Sequence, residues 1–100
     1  MYVVFVVEKG DFVGIERVLK DDLVSRQSIT TRDASVLGEM GEVRYVLIEG
    51  TKGGIKTARE LFKSKKVGKA LPAKKAKEVR EKIKEQEESA AQGMGLIFGG

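Results

Sequence analysis

Two runs of β-branched and aromatic residues constrain the fold of this chain more than any other feature. The first is MYVVFVVE at 1–8, and the second is EVRYVLIE at 42–49. Neither run keeps the strict alternation of apolar and polar residues that marks a half-exposed strand, so both predict strands at the centre of a sheet. An amphipathic segment follows each run, with apolar residues three and four positions apart. The sequence therefore predicts a sheet with helices packed against it.

The residues between these strands predict weaker elements. RQSITTR at 26–32 is rich in threonine and alternates only weakly, which favours an edge strand. DASVLGEMGE at 33–42 contains two glycines and predicts a loop with room for one helical turn. The apolar spacing predicts one helix over 12–23 and a second helix from Thr51 to 63.

A connector, a third helix and a short tail are predicted after the second helix. Gly68 and Pro72 interrupt the helical pattern, and Pro72 suits the first position of a third helix that ends near 91. The apolar stripe of this third helix is thin and mostly alanine, so we expect it to contact the domain along a narrow seam. The apolar run within 93–98 predicts a possible last strand.

The order of these elements is strand, helix, strand, strand, helix, helix and a possible last strand. It predicts a single α+β domain with a ferredoxin-like β-α-β-β-α core, in which an antiparallel sheet carries the helices on one face. We assign 1–63 to this core, 64–72 to a basic connector, and 73–100 to a basic C-terminal helix with a possible edge strand of the same domain. We further expect the first and third strands to be central and to run parallel to each other.

The amino acids that are missing restrict the chemistry. The chain has no cysteine and no histidine. Thiolate nucleophiles, disulfides and hydrolases of the Ser-His-Asp or Cys-His type are therefore excluded, and zinc, copper or iron sites are not expected. Lysine, aspartate, glutamate, serine and tyrosine could also take part in catalysis, but no pair of them has a spacing typical of an active site. We therefore expect no catalytic residues, no metal, no cofactor and no enzymatic activity.

Sequence patterns that direct a chain to a membrane are also missing. The longest apolar run, Tyr2 to Val7, is far shorter than the roughly 20 residues that span a bilayer. No basic leader precedes an apolar stretch at the N-terminus. We therefore expect a cytoplasmic protein with no membrane partner. The abundance of lysine, glutamate and arginine, together with the absence of asparagine, favours a thermophilic source.

The two turns that follow the central strands form the first candidate site. If these strands run parallel, both turns lie at one edge of the sheet, where helix N-termini direct unpaired N–H groups outward. Such a site suits the phosphate or carboxylate of a small molecule. The alternative is that the glycines serve close packing or a positive φ angle. The candidate ligand-binding residues are Lys9, Gly10, Thr51, Lys52, Gly53 and Gly54.

A dense basic segment is the second candidate site. Residues 52–84 carry thirteen basic and three acidic side chains, which would attract a polyanion. RNA or DNA is the obvious partner, because phosphate contacts supply most non-specific affinity. The alternative is a solvated surface, and only Tyr2 and Tyr45 lie on the central strands as candidates for base stacking. We call the candidate nucleic-acid-binding residues the lysine cluster: Lys63, Lys65, Lys66, Lys69, Lys74, Lys75 and Lys77.

These observations predict a small non-enzymatic binding protein for an anionic partner, which is either a nucleic acid or a small molecule with a phosphate or carboxylate group. The alternative is an oligomeric structural or regulatory module that contacts other proteins. The exposed fourth strand and the thin third helix would both gain from a partner, including a second copy of the chain.

Overall fold

The computed structural model describes the backbone of residues 1–99 and the side chains of residues 1–88. Over these residues the chain forms four strands and three α-helices. The strands are β1 (Tyr2–Glu8), β2 (Ser28–Asp33), β3 (Val43–Glu49) and β4 (Lys69–Ala70). The helices are α1 (Phe12–Leu19), α2 (Lys52–Lys65) and α3 (Ala73–Gly99). Single 3-10 turns precede α1 and flank β2, at Lys9–Asp11, Val24–Arg26 and Ala34–Leu37.

The strands form one antiparallel sheet in the order β2-β3-β1-β4. The prediction of a mixed α+β domain with an antiparallel sheet, two strongly apolar central strands and an edge strand near 26–32 is confirmed. The expectation that the two central strands run parallel is wrong. Tyr2 pairs with Glu49 and Glu8 pairs with Val43, so β1 and β3 are antiparallel neighbours. The physical reason is that adjacent strands of an antiparallel sheet must alternate in direction.

The first face of the sheet packs against α1 and α2. Alternate residues of β1 point to this face, where they join a core with Val46, Ile48 and the buried sides of both helices. The rings of Phe5 and Phe62 stack with their centroids 3.7 Å apart. This contact joins the centre of β1 to the last turns of α2 and thereby fixes the position of the helix on the sheet.

The second face of the sheet packs against α3. Val4 and Leu47 point to this face and form a second core with Val79 and Ile83 of the helix, and all four side chains are fully buried. The expectation of a narrow seam therefore understates this contact. Because both faces of the sheet are covered, consecutive residues in the middle of each central strand are buried, which explains why their sequences do not alternate.

Two element boundaries differ from the sequence-based expectation. Helix α1 ends four residues before the expected end of 12–23, because the Asp21 carboxylate accepts hydrogen bonds from the N–H groups of Leu23 and Val24 at 3.1 and 3.2 Å. The helical backbone of α3 runs through 93–98, so the possible last strand at that position is not formed. The fourth strand is β4 instead, which lies in the predicted connector and pairs with β1.

Candidate anion-binding surface

The two turns of the first candidate site lie at opposite ends of the central strands. The register places the turn after β1 beyond the Glu8–Val43 pair, and the turn after β3 beyond the Tyr2–Glu49 pair. A strand of this length spans about 20 Å at roughly 3.3 Å per residue. The expectation that Lys9 and Gly10 meet 51–54 in a single pocket is therefore wrong. Whether either turn binds an anion by itself stays a prediction.

The glycine turn before α2 has a structural explanation at Gly54. The Thr51 hydroxyl oxygen caps the helix by accepting a hydrogen bond from Gly54 N at 3.0 Å. The Gln27 side chain fills the adjacent space, and its Oε1 accepts a hydrogen bond from Thr51 N at 2.9 Å. A Cβ atom at Gly54 would lie 2.2 Å from Gln27 Cδ. Glycine at this position leaves the space that the Gln27 amide occupies when it contacts the turn.

The other glycines of the two turns have open surroundings. A Cβ atom at Gly53 or Gly10 would meet no atom within 4 Å. Lys9 lines a groove of about 260 Å³ with Asp33 and Glu42, whose carboxylates would repel an anion. The environment of the first turn thus disfavours the proposed ligand, whereas the exposed residues Lys52 and Gly53 leave the second turn accessible.

Glu39 neutralises two cations on the inner side of α3. Lys75 Nζ donates a hydrogen bond to Glu39 Oε1 at 2.6 Å, and Lys82 Nζ lies 3.3 Å from Glu39 Oε2. The Tyr45 hydroxyl also donates to Oε1, at 3.4 Å. The hydrogen bond from Lys75 outweighs the effect of burial and holds the pKa of Glu39 below its ordinary value. The same contact raises the pKa of Lys75.

Glu49 binds two further cations of the same helix. Arg80 Nε donates to Glu49 Oε2 at 3.0 Å, and Lys84 Nζ donates to Oε1 at 2.7 Å. Burial opposes ionisation of Glu49, but the hydrogen bonds from Lys84 and Arg80 together lower its pKa. The Arg80 guanidinium also lies over the Tyr2 ring, 4.8 Å from its centroid. We call Glu39, Glu49 and their four partners the α3 clamp.

The clamp divides the lysine cluster. Lys75 lies in the clamp, so it is not an exposed, unpaired cation. The other six lysines are exposed, and none of them makes an ion pair with any side chain of residues 1–88. Three of them, Lys63, Lys66 and Lys69, line a groove of about 530 Å³ beside β1, which Glu8 and Asp11 also line. The structure therefore brings part of the cluster together at the β4 edge of the sheet.

The aromatic side chains of the central strands are not available for base stacking. Tyr45 is only 5% exposed beneath α3, and the Tyr2 ring lies under Arg80. A nucleic acid could reach Tyr45 only if α3 left the sheet, and it would have to displace the Arg80 side chain to stack on that face of the Tyr2 ring. Contacts to phosphates are thus the mode of recognition that this surface offers.

Comparisons of the chain with protein-family models, with curated proteins and with solved structures found no match. The side chains of residues 1–88 also contain no group of three or more acidic residues placed to hold a metal ion. Among the described residues, no helix is both long and apolar enough to cross a membrane. Functional inference therefore depends on the geometry of the charged side chains.

Proposed function

We propose that the protein is a small non-enzymatic binding module for an anionic partner, and that this partner is a nucleic acid contacted through its phosphates. The observation that carries the proposal is the set of six exposed lysines of the cluster, which have no ion-pair partner within residues 1–88. They extend from the last turns of α2 through the connector to the first turns of α3. Their charge attracts a polyanion and releases its counterions on contact.

The strand order and helix positions support a ferredoxin-like classification. The elements from β1 to β4 follow the order strand, helix, strand, strand, helix, strand, and α1 and α2 share one face. RNA-recognition modules with a four-stranded sheet stack bases on sheet aromatics. In this chain α3 occupies the second face, so the proposed contact is through the edge of the sheet and the helix surfaces. Recognition through phosphates does not depend on the base sequence of the nucleic acid.

Fluorescence anisotropy with labelled oligonucleotides tests the proposal. We expect binding at low ionic strength, with little difference between sequences, and a linear fall of log K with the logarithm of the salt concentration. Polyglutamate serves as the control polyanion, because it offers carboxylates in place of phosphates, and we expect it to bind more weakly. The absence of salt-dependent binding to both RNA and DNA would refute the proposed function.

The outer edge of β2 supports a second candidate function, self-association. β2 is an outer strand of the sheet in the described part of the chain, and it pairs only with β3 through Ser28–Asp33. Unpaired edges of this length can add a strand from a second molecule. Size-exclusion chromatography with light scattering tests this candidate, with Thr31→Lys as the variant, since a lysine on an edge strand opposes pairing. A monomer at every accessible concentration would rule it out.

A further inference from the structure

Four cations lie in a row along α2. They are separated by four, three and four residues, a spacing that keeps side chains on one face of a helix. At about 100° per residue they fall within an arc of roughly 60°. All four are exposed. We call this row the α2 stripe: Lys52, Lys56, Arg59 and Lys63.

The α2 stripe differs from the cations of the clamp because no carboxylate neutralises it. None of its members makes an ion pair with a side chain of residues 1–88. Like charges four residues apart destabilise a helix, and Lys52 in the first turn also opposes the helix dipole. The repulsion within the Lys52–Lys56 and Arg59–Lys63 pairs therefore opposes the stability of the helix, and a bound polyanion would relieve it.

The stripe borders a shallow hollow between α2 and β4. Arg59 and Lys63 line one side of this hollow, which has a volume of about 300 Å³, and Lys69 of β4 also lines it. No carboxylate is among the lining residues. Gly68 holds β4 close to the sheet, because a Cβ atom there would lie 2.9 Å from the carbonyl oxygen of Val6. The close approach of the backbones thus positions Lys69 as a fifth cation beside the stripe.

The length of the stripe fits a run of backbone phosphates. Lys52 and Lys63 are eleven residues apart, which corresponds to about 16 Å along the helix axis. Phosphates of one duplex strand advance about 3.4 Å each along the duplex axis while they wind around it, so a straight row of this length can contact more than one phosphate. Free phosphate would occupy only one part of such a row.

The side chains around the stripe favour a duplex over a single strand. Proteins that bind single strands combine a basic groove with aromatic side chains on which bases stack. No aromatic side chain within residues 1–88 is exposed. Phe5 and Phe62 beneath the hollow are each 1% exposed. A surface with cations and no stacking platform can contact a backbone but cannot hold unpaired bases.

We propose that the α2 stripe, together with Lys69, is the contact track for the phosphate backbone of a double-stranded nucleic acid. This inference rests on the proposed function and adds the location of the contact and the class of nucleic acid. It also names Lys52, Lys56 and Arg59, which lie outside the lysine cluster. Arg59 and Lys63 are the most informative pair to substitute, because they belong to both the stripe and the hollow.

The test compares Arg59→Gln/Lys63→Gln with a control variant that has the same loss of charge. The control is Arg17→Gln/Lys20→Gln at the C-terminal end of α1, since both residues are exposed and make no ion pair with residues 1–88. Anisotropy titrations use a short fluorescent duplex and one of its strands alone over a series of salt concentrations. Circular dichroism and thermal melting check that both variants fold. We expect the first variant to reduce the magnitude of the duplex salt slope by about 2, and the control to leave it unchanged.

The possible results separate the track from the proposed function. Equal reductions of the slope by both variants would refute the track while nucleic-acid binding stands. Single-strand affinity equal to or above that of the duplex would refute the assignment to a duplex. If the unmodified protein showed no salt-dependent binding to either the duplex or the single strand, both the track and the proposed function would be refuted.

Discussion

The two faces of the sheet are covered by helices that use their cations differently. On the first face, α2 packs through apolar side chains such as Phe62, and its cations point away from the sheet without carboxylate partners in the described residues. On the second face, α3 combines an apolar contact with two partly buried glutamates, Glu39 and Glu49, which each bind two of its cations. The charge of a basic helix therefore does not reveal its role, because the same residue types stabilise the fold in one place and remain available to a ligand in the other.

The largest expected effect concerns the apolar contact of α3. Ile83→Ala should lower the free energy of unfolding by about 2–4 kcal/mol, since Ile83 is fully buried against the second face. Urea unfolding measures this change. Val13→Ala is the control, because Val13 is 78% exposed and its substitution should change stability by less than about 0.5 kcal/mol. A similarly small effect at Ile83 would mean that α3 does not belong to the core.

An intermediate effect is expected when the α3 clamp is broken by acid. The folded-state pKa values of Glu39 and Glu49 are lowered, so their contribution is fully present above the pKa of an unfolded glutamate, about 4.3. It is lost as the pH falls through the lower folded values, because the unfolded chain then binds more protons. Glu39→Gln/Glu49→Gln should remove about 1 kcal/mol per site near neutral pH, since the cations of the clamp are substantially exposed.

The pH dependence of unfolding distinguishes the clamp from other acidic residues. Between pH 5 and 3, as a rough working range, the unmodified protein should lose more stability than the double glutamine variant. Asp22→Asn is the control, because Asp22 pairs with Arg26 on an exposed surface with side chains 89% and 70% accessible. If Asp22→Asn reduced the acid sensitivity as much as the clamp variant, the clamp would not be the source of that sensitivity.

The smallest expected effect separates two adjacent glycines of the turn before α2. Gly53→Ala should raise the free energy of unfolding by about 0.5–1 kcal/mol, because its surroundings are open and alanine favours a helix. Gly54→Ala should lack this gain, since its Cβ would displace Gln27 and its hydrogen bond to Thr51 N. Adding Gln27→Ala to each variant completes the comparison. In the Gln27→Ala background, Gly54→Ala should raise the free energy of unfolding as Gly53→Ala does, whereas the effect of Gly53→Ala should be the same in both backgrounds.

Much of the fold follows from the local sequence. The unalternating runs of β1 and β3 predict central strands, and the strand order places both strands at the centre of the sheet, with the middle of each buried on both faces. The threonine-rich β2 lies at an edge as predicted. The strand β4 could not be found in the same way, because two residues carry no pattern. It depends on the close approach of Gly68 to β1, which is a tertiary contact.

The candidate site was less predictable, because ion pairing depends on distant elements. Lys75 and Glu39 are far apart in sequence and meet only after α3 packs on the sheet. The position of Glu49 could have been inferred from the sequence. Tyr45, Leu47 and Glu49 are alternate residues of β3, so the Glu49 side chain had to point to the same face of the sheet as the other two, which are buried. Such a glutamate needs cations, and α3 supplies them. The row of cations on α2 was also visible in its spacing, but the sequence did not show which basic residues would remain unpaired.

The salt dependence of duplex binding tests the division between the two helices most directly. The informative pair is Arg59→Gln/Lys63→Gln on α2 and Lys75→Gln/Lys82→Gln in the clamp, which remove the same number of charges. We predict that the α2 variant reduces the magnitude of the slope by about 2 and retains its stability, while the clamp variant loses stability and retains the slope. A reduced slope for the clamp variant together with an unchanged slope for the α2 variant would contradict the account.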